Sequence, residues 1–421
     1  MDALPEKRTV PTISRISGDT IVELVYDRNA RKTGLVVSRR GKWTVEQELE
    51  LENGERLVPY AATNNLIQRD CVVLPSEPVD HDSKDALLAD IVAYLHRYVD
   101  LSPLFERIAA HYILLTWVYD AFNELPYLRF QGEYGSGKTR ALIALGSIAY
   151  KGFFASGAST VSPIFHTLDS FSGTLILDEA DLRFSDKTTD LVKILNNGTV
   201  KGLPVLRTLQ NRHKEFNPAA FNVFGPKIIA MRGSFRDQAL ESRFLTEQMG
   251  HRPLRTDISI QLPDSLKAEA LELRNRLLHF RLTNLLAIKC DPSRLIANID
   301  PRLNQTALSL LSLVDAVSLR EGFSGMLRAK QAKIVAVRAR SPEARTLAVI
   351  TAAFQNPKCA TVSLREIADA VNENGDELDD VISARQIGYV LRAKSIPLRK
   401  SNGAVVLERS AVAAMEARSG P

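Results

Sequence analysis

Between Tyr127 and Thr139 the chain reads Y-L-R-F-Q-G-E-Y-G-S-G-K-T, a strand-like run, a glycine-rich turn and the start of a helix-like segment. Gly132, four free positions and Gly137-Lys138-Thr139 form the P-loop pattern, which demands a strand before it and a helix after it. Glycines at 132, 135 and 137 let backbone N–H groups turn inward at the positive end of that helix, making a nest for an anion. Ser136 belongs to the same cradle. In this arrangement Lys138 reaches the β- and γ-phosphates and Thr139 holds Mg²⁺. The expectation is a nucleoside triphosphate site taking ATP and Mg²⁺, against the plain alternative of a glycine-rich turn that happens to carry Lys-Thr.

A second element fits the first. Gly173–Asp181 reads G-T-L-I-L-D-E-A-D, β-prone residues that end in two carboxylates. Such a run predicts a buried parallel strand delivering Asp178 and Glu179 at its C-terminal edge, beside the P-loop. Asp178 would organise Mg²⁺ through water, and Glu179 would orient and polarise the attacking water. The letters also spell the DEAD box. However, Asp178 follows Lys138 by forty residues, room for one intervening strand, and nothing downstream looks like a second ATPase-like domain.

Bulk properties bound the rest. The 421 residues suffice for two to four domains, and a net charge of +5 is compatible with a polyanionic partner without requiring one. Cys71, Cys290 and Cys359 are far apart and in no metal-ligand spacing, which points to a reducing, cytoplasmic setting. The most apolar run, Ile108–Phe122, is short and interrupted by His111 and Asp120, so no membrane segment is expected.

Along the chain, residues from about 10 to 75 alternate apolar and polar positions between turn signals, predicting a small β domain. Pro75–Ser83 has linker composition. Helical periodicity from Lys84 leads into the P-loop strand, and Trp117 sits there among packing residues. Strands are expected near Gly152–Ala155 and Ile228–Met231. Between them, Leu203–Leu209 and Phe216–Phe224 form a hairpin around the polar tip Gln210–Glu215. Leu266, Ala270, Leu273, Leu277 and Phe280 mark one face of a later helix. From Ser341 onward, helix, strand, helix, helix and hairpin read as a winged helix.

The run from Tyr127 to Leu245 resembles the AAA+ ATPases of superfamily 3 and MCM-like replicative helicases, particularly those of viruses, plasmids and integrating elements. The resemblance implies an α/β fold: an AAA+ P-loop core, a parallel sheet with helices on both faces, a small N-terminal β domain, a helical lid and a C-terminal winged helix. Boundaries follow at 1–82, 83–262, 263–341 and 342–421. In that group a hairpin before the fourth strand projects into a ring's channel and grips DNA. Carried over, the gripping residues are Arg207, Arg212, His213 and Lys214, unless the tip is simply solvated.

Arg236–Leu245, R-D-Q-A-L-E-S-R-F-L, is similar to the segment whose arginine reaches the neighbouring subunit. Arg243 is the implied finger, with a structural ion pair as the alternative. The sensor 1 position shows no Asn or Thr, leaving Arg232 or Ser234, and Arg302 is preferred over Arg274 or Arg276 for sensor 2. On the winged helix, Arg385, Arg392 and Lys400 would meet duplex DNA, or the module would contact protein. The resemblance thus implies a homo-oligomeric ring, a hexamer, moving on single-stranded DNA. The alternative is an ATP-dependent switch that binds DNA or a partner without unwinding.

Overall fold

The computed structural model describes residues 8–157, 159–178, 186–210, 216–235, 237–373, 381–401 and 404–411. They fall into two units, 1–327 and 328–421.

The first unit begins with strands β1 (Thr9–Thr12), β2 (Ser14–Ser17), β3 (Thr20–Asp27), β4 (Lys32–Arg39), β5 (Lys42–Glu46), β6 (Leu49–Glu50) and β7 (Arg56–Pro59). Consecutive strands β2 to β5 form an antiparallel sheet, while β1 pairs with β7 in parallel and β6 completes a second, small sheet. Helices α1 (Asn65–Gln68), α2 (Lys84–Tyr98) and α3 (Pro103–Val118) follow. The core then runs β8 (Tyr127–Gln131), α4 (Lys138–Ile148), β9 (Phe153–Ser156), α5 (Val161–Phe171), β10 (Leu175–Asp178) and α6 (Asp186–Asn197). A hairpin of β11 (Val205–Gln210) and β12 (Phe216–Phe221) precedes β13 (Lys227–Met231), α7 (Gln238–Glu241) and β14 (Phe244–Gln248).

Strands β14, β8, β13, β10 and β9 make one five-stranded sheet in that order, every neighbouring pair parallel. Strands buried on both faces need near-continuous apolar sequence, and β13 is buried at all five positions. On one face Tyr127, Leu175, Leu177, Ile229, Met231 and Phe244 share a core with α5, α6 and the N-terminal Val22, Leu24, Leu35 and Val37. On the other, Phe130 meets Phe105 of α3 edge to face.

Helices α8 (Ser265–Asn284), α9 (Pro301–Leu311) and α10 (Val317–Ala339) come next, and the unit boundary falls within α10. The face foreseen for α8 is buried at Leu266, Ala270, Leu273, Leu277 and Phe280. The helix also buries polar groups. Arg274 donates to Leu74 O and Ser147 O, and Asn275 Oδ1 accepts from Ser76 N. Residues 75–83, whose composition suggests a linker, are therefore strapped onto α8.

The second unit contains α11 (Pro342–Gln355), β15 (Thr361–Ser363), α12 (Leu364–Glu373), α13 (Ala384–Ala393), β16 (Arg399–Ser401) and β17 (Ala404–Glu408). Its strands form an antiparallel sheet in the order β15, β17, β16. Ile350, Ile367, Val371, Ile387, Leu391 and Leu407 make a separate core. Among the described residues no helix is long and apolar enough to cross a membrane.

Charge buried in the first unit makes its stability depend on pH. Lys227 is fully buried, and its Nζ donates to Val223 O (2.9 Å), Gly225 O (3.0 Å) and Gly198 O (3.4 Å). No carboxylate offsets the burial, which pushes its pKa down to about 7. Above that pH the unfolded chain holds a proton that the folded chain releases, so stability rises with pH until the unfolded lysine also titrates. Lys151, pushed down to about 8 by burial, adds its own rise above pH 8. The unfolding free energy from urea melts is expected to climb between pH 7 and 8, with Lys227→Met flattening that interval; equal slopes in the two proteins would rule out Lys227 as the source.

Candidate nucleotide site

Two glycines in the turn after β8 adopt conformations that other residues rarely accept: φ is +76° at Gly135 and +88° at Gly137. Gly132 is required for a different reason. A Cβ there would lie 2.5 Å from Met249 O and 2.8 Å from Ser136 Oγ. The turn is thus pressed against the residues that follow β14, with Met249 N donating to Gln131 O. It ends at the N-terminus of α4, where unpaired N–H groups and the helix dipole favour negative charge.

Lys138 Nζ donates to Gly132 O and Glu133 O, both at 2.7 Å, and lies 3.4 Å from Ser136 Oγ. The ammonium is therefore held over the turn itself. Thr139 Oγ1 donates to Asp178 Oδ2 at 2.7 Å. That contact exists because β13 alone separates β8 from β10, bringing the end of β10 beside the first turn of α4. A hydroxyl and a carboxylate placed together are the hard oxygen donors that Mg²⁺ prefers. Glu179, the expected polariser of water, lies outside the described residues.

Around these groups is a cavity of about 820 Å³, within the range for small-molecule sites. Its walls include Tyr134–Arg140, Asp178 and Arg232, closed on the far side by Val99 and the 254–260 segment. Three arginines line it: Arg140, Arg232 and Arg255. Arg140 Nε donates to Tyr98 O (2.6 Å) and its NH1 to Ile260 O (3.0 Å), tying the P-loop helix to the segment opposite. Arg255 Nε donates to Asp257, whose carboxylate holds the guanidinium pKa above its ordinary value. Sequence spacing did not single out Arg140 or Arg255. Arg140 directly follows the P-loop threonine, a readable signal, whereas Arg255 sits in a loop whose path only the fold reveals.

At the sensor 1 position, Arg232 lines the cavity, and Ser234 Oγ lies 3.2 Å from Gln131 Nε2. Of the three sensor 2 candidates, none lines the cavity. Arg274 is committed to backbone carbonyls, Arg276 pairs with Asp82 and Asp90, and Arg302 is exposed at the start of α9.

Arg243 stands just before β14, and Phe244 pairs with Tyr127 at the beginning of β8. The P-loop leaves the opposite end of that strand. At roughly 3.3 Å per residue, β8 separates the two by about 13 Å, beyond the reach of the side chain to its own P-loop. Arg243 NH1 instead donates to Asn196 O (2.8 Å) and Asn196 Oδ1 (2.5 Å), while Asn196 Nδ2 donates to Asp237 Oδ2 (3.0 Å). Burial, then the charge of Arg302, lowers the Arg243 pKa.

The hairpin is built as the sequence suggests, with Val205 opposite Phe221 and Gln210 opposite Phe216. Arg207 pairs with Asp190 of α6 at 3.0 Å and stacks 5.3 Å from the Phe165 ring centroid, so its charge braces the hairpin base. Arg212, His213 and Lys214 lie outside the described residues. In the second unit, Arg385 is exposed on α13 with its guanidinium against the Tyr389 hydroxyl, while Arg392 and Lys400 line a shared cleft.

No family model and no curated protein matches the chain. Solved structures to which it is similar include the C-terminal region of NrS-1, at 12% identity and a TM-score of 0.37, covering 92% of this chain and 97% of that one. Another is SCCmec type IV Cch, described as an active helicase, at 13% identity and a TM-score of 0.37, covering 96% of each chain. A third is JCV helicase, at 18% identity and a TM-score of 0.25, covering 59% of this chain and 66% of that one. At such values the likeness carries no inference about activity, which must come from the site.

Gly132→Ala tests the cradle. The added methyl has a backbone oxygen in its way, so an overpacking cost of about 1–3 kcal/mol is expected, together with lost nucleotide affinity measured by fluorescent-nucleotide titration. Wild-type affinity and stability in this variant would contradict the close approach of the turn to Met249.

Proposed function

We propose that the chain is a ring-forming AAA+ ATPase that couples ATP hydrolysis to translocation on DNA and its unwinding, the replicative helicase of a mobile element. The observation that carries this reading is the Thr139–Asp178 hydrogen bond under a glycine cradle, with Lys138 above it. Lys138 would hold the β- and γ-phosphates, and Thr139 with Asp178 would hold Mg²⁺, which neutralises phosphate charge when bound. Glu179 follows Asp178 directly and would polarise the attacking water. Val99, Leu254 and Ile260 give the cavity an apolar side suited to a base.

The separation of Arg243 from its own P-loop supports a role in trans. In a head-to-tail ring, the arginine of one subunit would meet the ATP of the next, its planar fork stabilising charge on the transferred phosphoryl group. Helix α6 would relay the event: Asn196 at its end holds Arg243, and Asp190 within it holds Arg207 at the hairpin base. The basic tip of the hairpin, Arg212 to Lys214, would then track a DNA strand. The helix pair α12–α13 and the hairpin β16–β17 fit a winged helix whose Arg385, Arg392 and Lys400 contact duplex DNA. The four-domain division at 82, 262 and 341 and the hexameric state belong to the same proposal.

ATPase rate with and without single-stranded DNA, run beside strand displacement from a tailed duplex, tests this. Stimulation with ATP-dependent displacement is expected. Stimulation without displacement, or none, would favour the ATP-dependent switch. Separately, Arg243→Ala should keep ATP binding while turnover drops by up to roughly 10³–10⁵. Mixing that variant with Lys138→Ala should restore part of the activity if each supplies what the other lacks; a mixture no better than either variant would count against a shared site.

A further inference from the structure

Outside the nucleotide cavity, one group of metal-ligating side chains converges among the described residues: Asp80, His81 and His279, whose donor atoms all lie within 4.8 Å of one another. His81 and Asp80 belong to the strap between α1 and α2, and His279 projects from α8. The two imidazole Nδ1 atoms face each other at 2.9 Å, and His279 Nδ1 lies 3.5 Å from Asp80 Oδ1. We propose that these three residues bind a divalent transition cation of the Zn²⁺ class, which staples the strap to α8.

The chemistry favours such an ion over the alternatives. Two facing imidazole nitrogens share one proton between two lone pairs, and a cation that accepts both pairs replaces that proton. Ligands on Zn²⁺ at about 2.0–2.1 Å in tetrahedral array stand roughly 3.3 Å apart, so the rings need to part by only a few tenths of an ångström. Two imidazoles and one carboxylate suit Zn²⁺ or Co²⁺, whereas Mg²⁺ and Ca²⁺ prefer all-oxygen sets. The Asp80 side chain is 77% exposed, which leaves room for water as a fourth ligand.

One nearby cation opposes a positive charge here and is itself paired with carboxylates. Arg276 is the nearby cation, and it is engaged by Asp82 and Asp90. The His81 ring packs edge-on against Phe280, which fixes its orientation. Backbone anchoring is already in place, with Ser76 N bonded to Asn275 Oδ1 and Val79 N to Asn275 O. The ion would close the far end of that attachment, and by linkage its binding to the folded chain stabilises that chain as the logarithm of the free metal concentration above Kd.

The experiment uses the full-length chain without an affinity tag, stripped by chelator and titrated with Co²⁺. One equivalent should produce a saturable visible absorption band and raise the melting temperature, and both effects should be lost in His81→Gln and in His279→Gln. Zinc K-edge X-ray absorption of the wild-type chain loaded with one Zn²⁺ reads the ligands without any variant, and two imidazoles in the first shell are expected. Absence of saturable binding, binding that persists unchanged in His81→Gln, or fewer than two imidazoles on the metal would each overturn the proposal.

Discussion

A fully buried guanidinium holds the first unit together. Arg281, in the last turn of α8, donates to Glu23 Oε1 of β3, to Trp117 O and to both carboxylate oxygens of Asp120. Glu23 also accepts from Ser14 and Tyr150 and lies 3.1 Å from Lys151 Nζ. Burial by itself would raise the Glu23 pKa, but Lys151 and Arg281 outweigh it and hold the carboxylate ionised. Two cations thus face two anions, and the Tyr150 ring lies against both cations. Removing one member of such a cluster costs about 3–5 kcal/mol, because the others stay buried and unpaired. Four segments distant in sequence, β3, the end of α3, the turn after α4 and α8, are thereby fixed to one another.

That fixation positions the site. Arg281 holds one end of α8, and Arg274, two turns earlier, caps Ser147 O near the end of α4. The P-loop helix is consequently anchored at its far end by a rigid partner, while its first turn meets Asp178 across β13. On the proposed reading, a loop that binds and releases polyphosphate benefits from a helix that cannot shift with it. Across from the glycine turn, the 254–260 segment, held by Arg140 and by Asp100 to Arg255 N, is the opposite wall.

How much of this the sequence could say depends on whether a feature has a period or a fixed local geometry. The P-loop did, because its glycines answer to backbone dihedrals rather than to neighbours. Strand β10, the hairpin and the apolar face of α8 were legible from alternation and helical spacing. Glu23 was not, since an acid in an alternating strand reads as a solvent-facing residue. Arg281 looked like the polar side of an amphipathic helix for the same reason. Only the approach of β3, whose Glu23 meets Arg281, turns both inward, and a periodicity reports one buried face without reporting what covers the rest. Residues 75–83 misled in a similar way, because prolines and acids suit a strap pinned by side-chain amides as well as a free linker.

Arg207 and Arg243 show what residue type alone leaves out, namely the contacts that aim a side chain. Both are arginines in segments expected to reach outward, yet each is drawn to α6, Arg207 by Asp190 and Arg243 by Asn196. A half-buried guanidinium gives up hydration and recovers it from fixed acceptors, so its direction is set before any partner arrives. Asn196 supplies a carbonyl and an amide oxygen without a negative charge. It can orient Arg243 without neutralising it, which a carboxylate in that place would do. On the proposed reading Asn196 aims Arg243, whose charge Asp237 and Glu124 offset only from beyond hydrogen-bond contact, whereas Arg207 pairs directly with Asp190 at the hairpin base. The two residues would then be the ends of one relay through α6.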